Sequence, residues 1–434
     1  MSLPSLKLLA EAIESKKAWA GGVLSDWVRC PSTLGNELSA QEYIENVLTD
    51  MGLEVRREPV IKPVIEPLAG YSPALIEYDN RPNIVGEHYP SEVSGQSLLV
   101  NGHVDVVSPE PTALWSSSPF EPKVFTDELG ETWMQGRGAG DMKGGTVSAL
   151  WAFEALRSIG LQPAAPVIFQ SCIEEECTGN GSLSLLANGG IADACLIPEP
   201  FDQTLLAAQA GVLWFEVHIL GKTTHVLGAT QGVNAIEKAW CIYQYLKREL
   251  EAPANALETL PDEYRDIPHP VNLNLGVIHG GDWPSTVAGD CVMRLRMGLL
   301  PGTACAETKE RINALVKAAC EQDPWLTVNP PRVIYRGFKA EPCRFDVNSE
   351  FASQLSESHQ EVMGEPPTPL FATCTTDVRF FNLYAGVPAT CYGPKAVAIH
   401  GADERVSIDS MKRTALVTAR FMTRWCGVEK RKRT

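Results

Sequence analysis

No uninterrupted apolar stretch in this sequence approaches the roughly 20 residues that a membrane-spanning helix needs, so a helical membrane protein is not expected. Positive charge is also scarce. Lysine and arginine number 37 against 53 aspartates and glutamates in 434 residues, a net charge of -16. A duplex-DNA binder needs a basic footprint to displace counterions, so nucleic acid is not an expected partner. The one basic run, Lys430, Arg431, Lys432 and Arg433, reads as a solvated terminus. The opening residues lack the apolar core of a secretory signal, because Glu11, Glu14, Lys16 and Lys17 interrupt them; they read as an amphipathic helix. The twelve cysteines are scattered, mostly inside apolar runs such as Ala194-Cys195-Leu196. Disulfide scaffolds are short and cysteine-dense, so free thiols in a reducing cytoplasm are expected.

What is present is ordinary globular composition, 44% apolar and 21% charged, which excludes wholesale disorder. The length suggests two or three domains at roughly 150 residues each. Short apolar runs bounded by turn residues, at 97–100, 167–172 and 194–197, read as buried strands, with helical stretches at 146–159 and 182–187. Strands alternating with helices imply an α/β layer. From about Gly211 the texture changes to strand (212–220), helix (234–251), two strands (272–278, 291–299) and helix (304–321). That order suggests a small antiparallel sheet carrying two helices, inserted into the first unit. A helix over 348–363 and strands near Ala389 then resume the α/β pattern. The expected organisation is a discontinuous catalytic domain, 1–210 and 332–434, with an inserted α+β, ferredoxin-like domain at 211–331.

Three of the strands end in residues of metal-binding type: His103-Val104-Asp105, Glu174-Glu175-Glu176 and Glu199. Ligands gather at the carboxyl ends of strands in open α/β sheets. Asp141 follows the glycine-rich Gly136-Arg137-Gly138-Ala139-Gly140, and His400 follows another short apolar run. Two histidines and three carboxylates suit zinc or cobalt. Two cations about 3.5 to 4 Å apart need a bridging carboxylate and roughly two further ligands each. His103, Asp141, Glu176, Glu199 and His400 supply that count with Asp141 as the bridge. Asp105 is placed to accept the second N–H of the His103 ring, and Glu175 to take a proton from the activated water. The glycine loop lacks the spacing of a dinucleotide fingerprint and the Ser or Thr of a phosphate loop. His88, His218, His269 and His359 read as structural.

The segments 102–107, 136–145 and 174–181, the Ile197-Pro198-Glu199-Pro200 turn, Gly221 to Gly228 and His400-Gly401-Ala402-Asp403-Glu404 together resemble the family of acetylornithine deacetylase, succinyl-diaminopimelate desuccinylase, aminoacylase and bacterial glutamate carboxypeptidase. The resemblance implies a zinc-peptidase-like α/β/α domain binding two Zn2+, replaceable by Co2+ or Mn2+. His103 and Glu199 would hold one ion, Glu176 and His400 the other. It further implies hydrolysis of an N-acyl amino acid; the alternatives are a carboxypeptidase or dipeptidase acting on a short peptide, or a nonenzymatic binding protein that keeps the fold. Glutamate at 199 goes with substrates bearing a free carboxylate. His225 matches a histidine that reaches the partner's site in a homodimer and stabilises the oxyanion, which makes the inserted domain a lid and dimerisation module. Ser285 stands near a place where the family often has asparagine. For the arginine that clamps the substrate carboxylate, Arg294, Arg296 and Arg379 are all candidates.

Overall fold

The computed structural model describes residues 3–431, so Lys432 and Arg433 of the basic tail lie outside the described residues. Its central sheet has six strands in the order Glu54–Glu58, Asn83–His88, Val167–Cys172, Leu98–His103, Ala194–Ile197 and Ala389–Cys391. The four strands from Val167–Cys172 onward run parallel, and the first two pair antiparallel on one edge. Every residue of Leu98–His103 is buried, as expected for a strand covered on both faces by helices. Helices Leu6–Ser15, Gly145–Ser158 and Ile408–Trp425 pack together on the sheet, and all three contribute to one apolar core.

Helix Ile408–Trp425 escapes the sequence pattern. It starts directly after strand Arg405–Ser407, and its buried stripe is built partly from Thr414, Ala415, Thr418 and Ala419 rather than large apolar residues. The side chain of Ser407 caps it, accepting from the Ser410 amide at 3.0 Å. Strands Leu205–Gln209 and Pro369–Ala372, which pair in parallel in a small separate sheet, were likewise not anticipated.

A second sheet runs Leu273–Gly280, Asp290–Leu299, Gly211–Leu220, Arg332–Ile334, with Lys339–Ala340 also paired to Gly211–Leu220. Two helices lie on it. Ala235–Leu246 buries Ala235, Ala239, Ile242 and Leu246, and Cys305–Glu321 buries Cys305, Thr308, Ile312, Val316 and Cys320. Both stripes recur at helical spacing and face a second apolar core of their own. Burying each large aliphatic side chain there contributes about 1.5–3 kcal/mol. No helix among the described residues is long and apolar enough to cross a membrane. All twelve cysteines are unpaired.

Candidate metal centre

Parallel pairing brings the predicted residues to one edge. In the register of the two central strands His103 lies opposite Cys172, so Glu174, Glu175 and Glu176 begin just beyond it. Glu199 sits two residues past the neighbouring strand Ala194–Ile197. That close approach depends on Gly145: a Cβ there would overlap the carbonyl oxygen of Pro198, so only glycine lets the helix start against the Glu199 turn.

Asp141 stands between the two histidines. Its Oδ1 is 3.1 Å from His103 Nε2, and its Oδ2 is 3.4 Å from His400 Nε2. Glu176 lies 3.1 Å from His400 Nε2, and Glu199 Oε1 and Glu175 Oε2 are each 4.0 Å from His103 Nε2. His103, Asp141 and Glu176 each offer an atom within 4.8 Å of the others. Glu175 Oε1 is buried with no hydrogen-bond partner among the described residues. Burial, and next the charge of Asp377, pushes the Glu175 carboxyl well above the ordinary range. Burial and the charge of Asp141 do the same to Glu199. Burial alone would lower His400, but Glu176 and Asp141 raise it to about 11. Imidazole nitrogens and carboxylate oxygens held this close, with His400 at the open side, are a donor set that fits hard-to-borderline divalent cations.

Asp105 acts differently from the sequence expectation. The His103 Nδ1 hydrogen bond goes to the backbone carbonyl of Asp105 at 2.8 Å, while the carboxylate stays 3.9 Å away. The Asp105 carboxylate instead accepts the amides of Glu175 (3.1 Å) and Glu176 (3.0 Å). One residue therefore fixes the His103 ring and the turn that carries two other site carboxylates.

Two buried arginines support the cluster, and sequence reading missed both. Arg81 donates to Glu37 at 2.5 and 3.0 Å and to Glu174 at 2.6 Å, so Glu174 is answered by arginine. Arg137 pairs with Glu404 and donates to the Gly401 carbonyl at 2.9 Å, while Glu404 accepts the amides of Gly140 and Asp141 at 2.9 and 3.0 Å. Arg137 and Glu404 both lie within motifs noted above, which was the available signal; nothing local marks Arg81. Lys143 is buried, its ammonium donating to the Trp27 and Cys30 carbonyls, and burial lowers its pKa to about 7.

Other predicted residues lie apart from the cluster. His225 is exposed, and its Nδ1 accepts the Leu227 amide at 3.1 Å, which leaves Nε2 to carry the proton of the neutral ring. Ser285 is its neighbour, its carbonyl accepting the Val226 amide. Arg379 is buried and spent on the Thr376 and Thr178 carbonyls. Arg294 lies 3.1 Å from Glu216. Arg296, mostly covered, has only a 3.5 Å contact with the Thr373 carbonyl. His88, His218, His269 and His359 each have a hydrogen-bond partner in the chain.

Comparison with known proteins gives the same outline. A family model described as peptidase family M20/M25/M40 matches residues 99–424. The chain is 26% identical over 417 residues to N-formyl-4-amino-5-aminomethyl-2-methylpyrimidine deformylase of Halalkalibacterium halodurans, covering 91% of each chain. It is 25% identical to acetylornithine deacetylase of Edwardsiella ictaluri, covering 92% of this chain and 96% of the other. The di-peptidase Dug1p of Saccharomyces cerevisiae superposes with a TM-score of 0.78 at 16% identity, over 97% of this chain and 98% of that one.

Proposed function

The chain belongs to peptidase family M20/M25/M40 and is a metal-dependent amide hydrolase; from that premise we propose that it is a deacylase removing the acyl group from an N-acyl amino acid. The observation that carries this reading is Asp141, with one oxygen facing each of two histidines beside a buried, unpartnered Glu175 oxygen. His103 and Glu199 would hold one cation, His400 and Glu176 the other, with Asp141 between them. Zinc is the ion we propose, with cobalt or manganese able to replace it. Bound divalent cations lower the pKa of water and polarise a carbonyl. Glu175 takes the proton from the attacking water and hands it to the leaving nitrogen. Asp105 holds the His103 ring and the Glu175 turn in place. Arg379 is spent on backbone carbonyls and Arg294 leans on Glu216 through Nε, so we assign the substrate carboxylate to Arg296, which faces no carboxylate among the described residues.

We place the catalytic machinery in 1–210 and 332–434 and assign 211–331 as a lid and dimerisation unit, which gains edge strands from 332–340. Leu227, Ile236, Trp240, Ile278 and Trp283 are exposed on that unit around His225, and its terminal strand Leu273–Gly280 is open along most of its length. A second copy of this chain covering that face would bring His225 Nε2 to the partner's oxyanion. The scattered, unpaired cysteines favour a reducing, cytoplasmic setting.

The test is a panel of N-acetyl, N-succinyl and N-formyl amides assayed against dipeptides with matched side chains, using zinc- and cobalt-loaded protein. Acylated amino acids should be hydrolysed and a chelator should abolish turnover. Faster cleavage of the matched dipeptides would replace deacylase with dipeptidase; turnover indifferent to chelation would remove the metal centre.

A further inference from the structure

A cavity of about 490 Å³ lies where the second sheet meets the catalytic domain, within the range of roughly 300–1,000 Å³ of small-molecule sites. Leu34, Leu75 and Ile76 line it from the catalytic side, and Trp214 and Val277 from the second sheet. The charged lining is one-sided: Arg294, Arg296 and Arg336 against the single carboxylate of Glu216. Arg294 and Arg336 both contact the same Glu216 oxygen, at 3.1 and 3.0 Å, and His218 takes the other at 2.8 Å. One carboxylate thus answers two guanidiniums, and Arg296 is answered by none. In a chain of net charge -16, this is a local excess of positive charge.

The cavity adjoins the metal centre. Arg296 reaches the Thr373 carbonyl, and the next residue, Cys374, feels the charge of Arg296 and of the cluster's carboxylates alike. Burial and then the carboxylates of Glu199, Asp141 and Glu175 push the Cys374 thiol up to about 12, with Arg296 acting in the opposite direction. On the catalytic side Leu34 follows Ser32, whose hydroxyl donates to the Val104 carbonyl at 2.6 Å, one residue from His103. The catalytic-side wall is therefore tied to the turn that follows His103.

We propose that this cavity is the subsite for the part of the substrate that does not react, and that it selects an anionic amide with a flat, apolar, ring-sized body. This rests on the deacylase reading and narrows it to N-acyl amino acids with aromatic side chains. The substrate carboxylate meets Arg296 at the end nearer the metal centre. The ring lies between Trp214 and Ile76. Arg336 and Arg294 keep the far end cationic, so a basic side chain is disfavoured.

Two measurements test this. In the metal-loaded enzyme, kcat/KM for N-acetyltryptophan should exceed that for N-acetylalanine and N-acetyllysine at least tenfold. Trp214→Ala should cut that preference severalfold, chiefly through KM. Ile76→Trp, which fills the cavity from a half-exposed position, should cut it as well, and it guards against Trp214→Ala failing to fold. Unchanged ratios in both variants overturn the subsite, and equal turnover of an uncharged N-formyl arylmethylamine overturns its anion requirement. Independently of turnover, calorimetry should detect 3-phenylpropionate binding to the metal-loaded protein and a loss of affinity of at least tenfold in Arg296→Gln. Binding that persists in that variant removes Arg296 from the site. Binding lost as expected, with no N-acyl amino acid hydrolysed, keeps the cavity and sinks the deacylase reading.

Discussion

The two sheets treat charge in opposite ways. At the carboxyl edge of the central sheet most charged groups are buried, and many of those are answered by other groups of the chain: Glu37 and Glu174 by Arg81, Glu404 by Arg137, Asp105 by two backbone amides. On the second sheet the buried set is mostly apolar, Glu216 and Glu251 being charged exceptions, while His225 and several large apolar side chains face outward. The first region closes on itself and the second leaves its chemistry open to whatever covers it. Desolvated charge needs partners fixed by the fold, because an unpaired buried ion costs several kcal/mol. A surface histidine carries no such penalty and is free to act elsewhere.

The sharpest way to break this contrast is at Glu175, whose Oε1 is unpartnered among the described residues. Glu175→Gln should lower kcat by about a hundred- to ten-thousandfold while both metal equivalents remain bound in an elemental assay; near-normal turnover would take the base role from Glu175. The contrast sharpens if His225→Ala and Glu175→Ala homodimers, each nearly inactive, recover up to about a quarter of wild-type activity on subunit exchange, the share of sites pairing an intact Glu175 with an intact His225 in a random mixture. No recovery would confine His225 to its own chain. Arg81→Met leaves two buried carboxylates unanswered and should destabilise the chain by about 3–5 kcal/mol in urea unfolding, whereas an unchanged midpoint would mean that the pair is solvated. Glu404→Gln should weaken metal affinity by about 10- to 100-fold in chelator competition, the usual loss when a residue behind a ligand is changed; unaltered affinity would detach it from the site.

The smallest effect concerns pH. Burial lowers the pKa of His88 from 6.5, although its bond to the Pro163 carbonyl acts the other way. The folded chain then holds this ring neutral while the unfolded chain protonates it near 6.5. The contribution is complete above 6.5 and is lost as pH falls toward the folded value. His88→Gln should reduce the slope of stability against pH just below 6.5 by up to one proton; an unaltered slope would place the ring in solvent.

The strand-end residues were legible because the signal is local: an apolar run, then a ligand-type side chain, as at His103 and Glu199. The contacts of Asp105 were only half legible, since sequence spacing put its carboxylate near the His103 ring but could not show that its carbonyl lies closer. The arginine pairs were not legible. Arg81 is 93 residues from Glu174, and Arg137 is 267 from Glu404, and no pattern along the chain encodes such a meeting. The cavity between the sheets, lined from segments as distant as Leu34 and Arg336, was invisible for the same reason.

The tie between Arg137 and Glu404 has a consequence for motion. It joins the Asp141 turn directly to the His400 loop, and so shortcuts everything the chain threads between them, the second sheet included. If the second sheet serves as the proposed lid, it would swing without parting Asp141 from His400, and gating would be mechanically decoupled from ion retention.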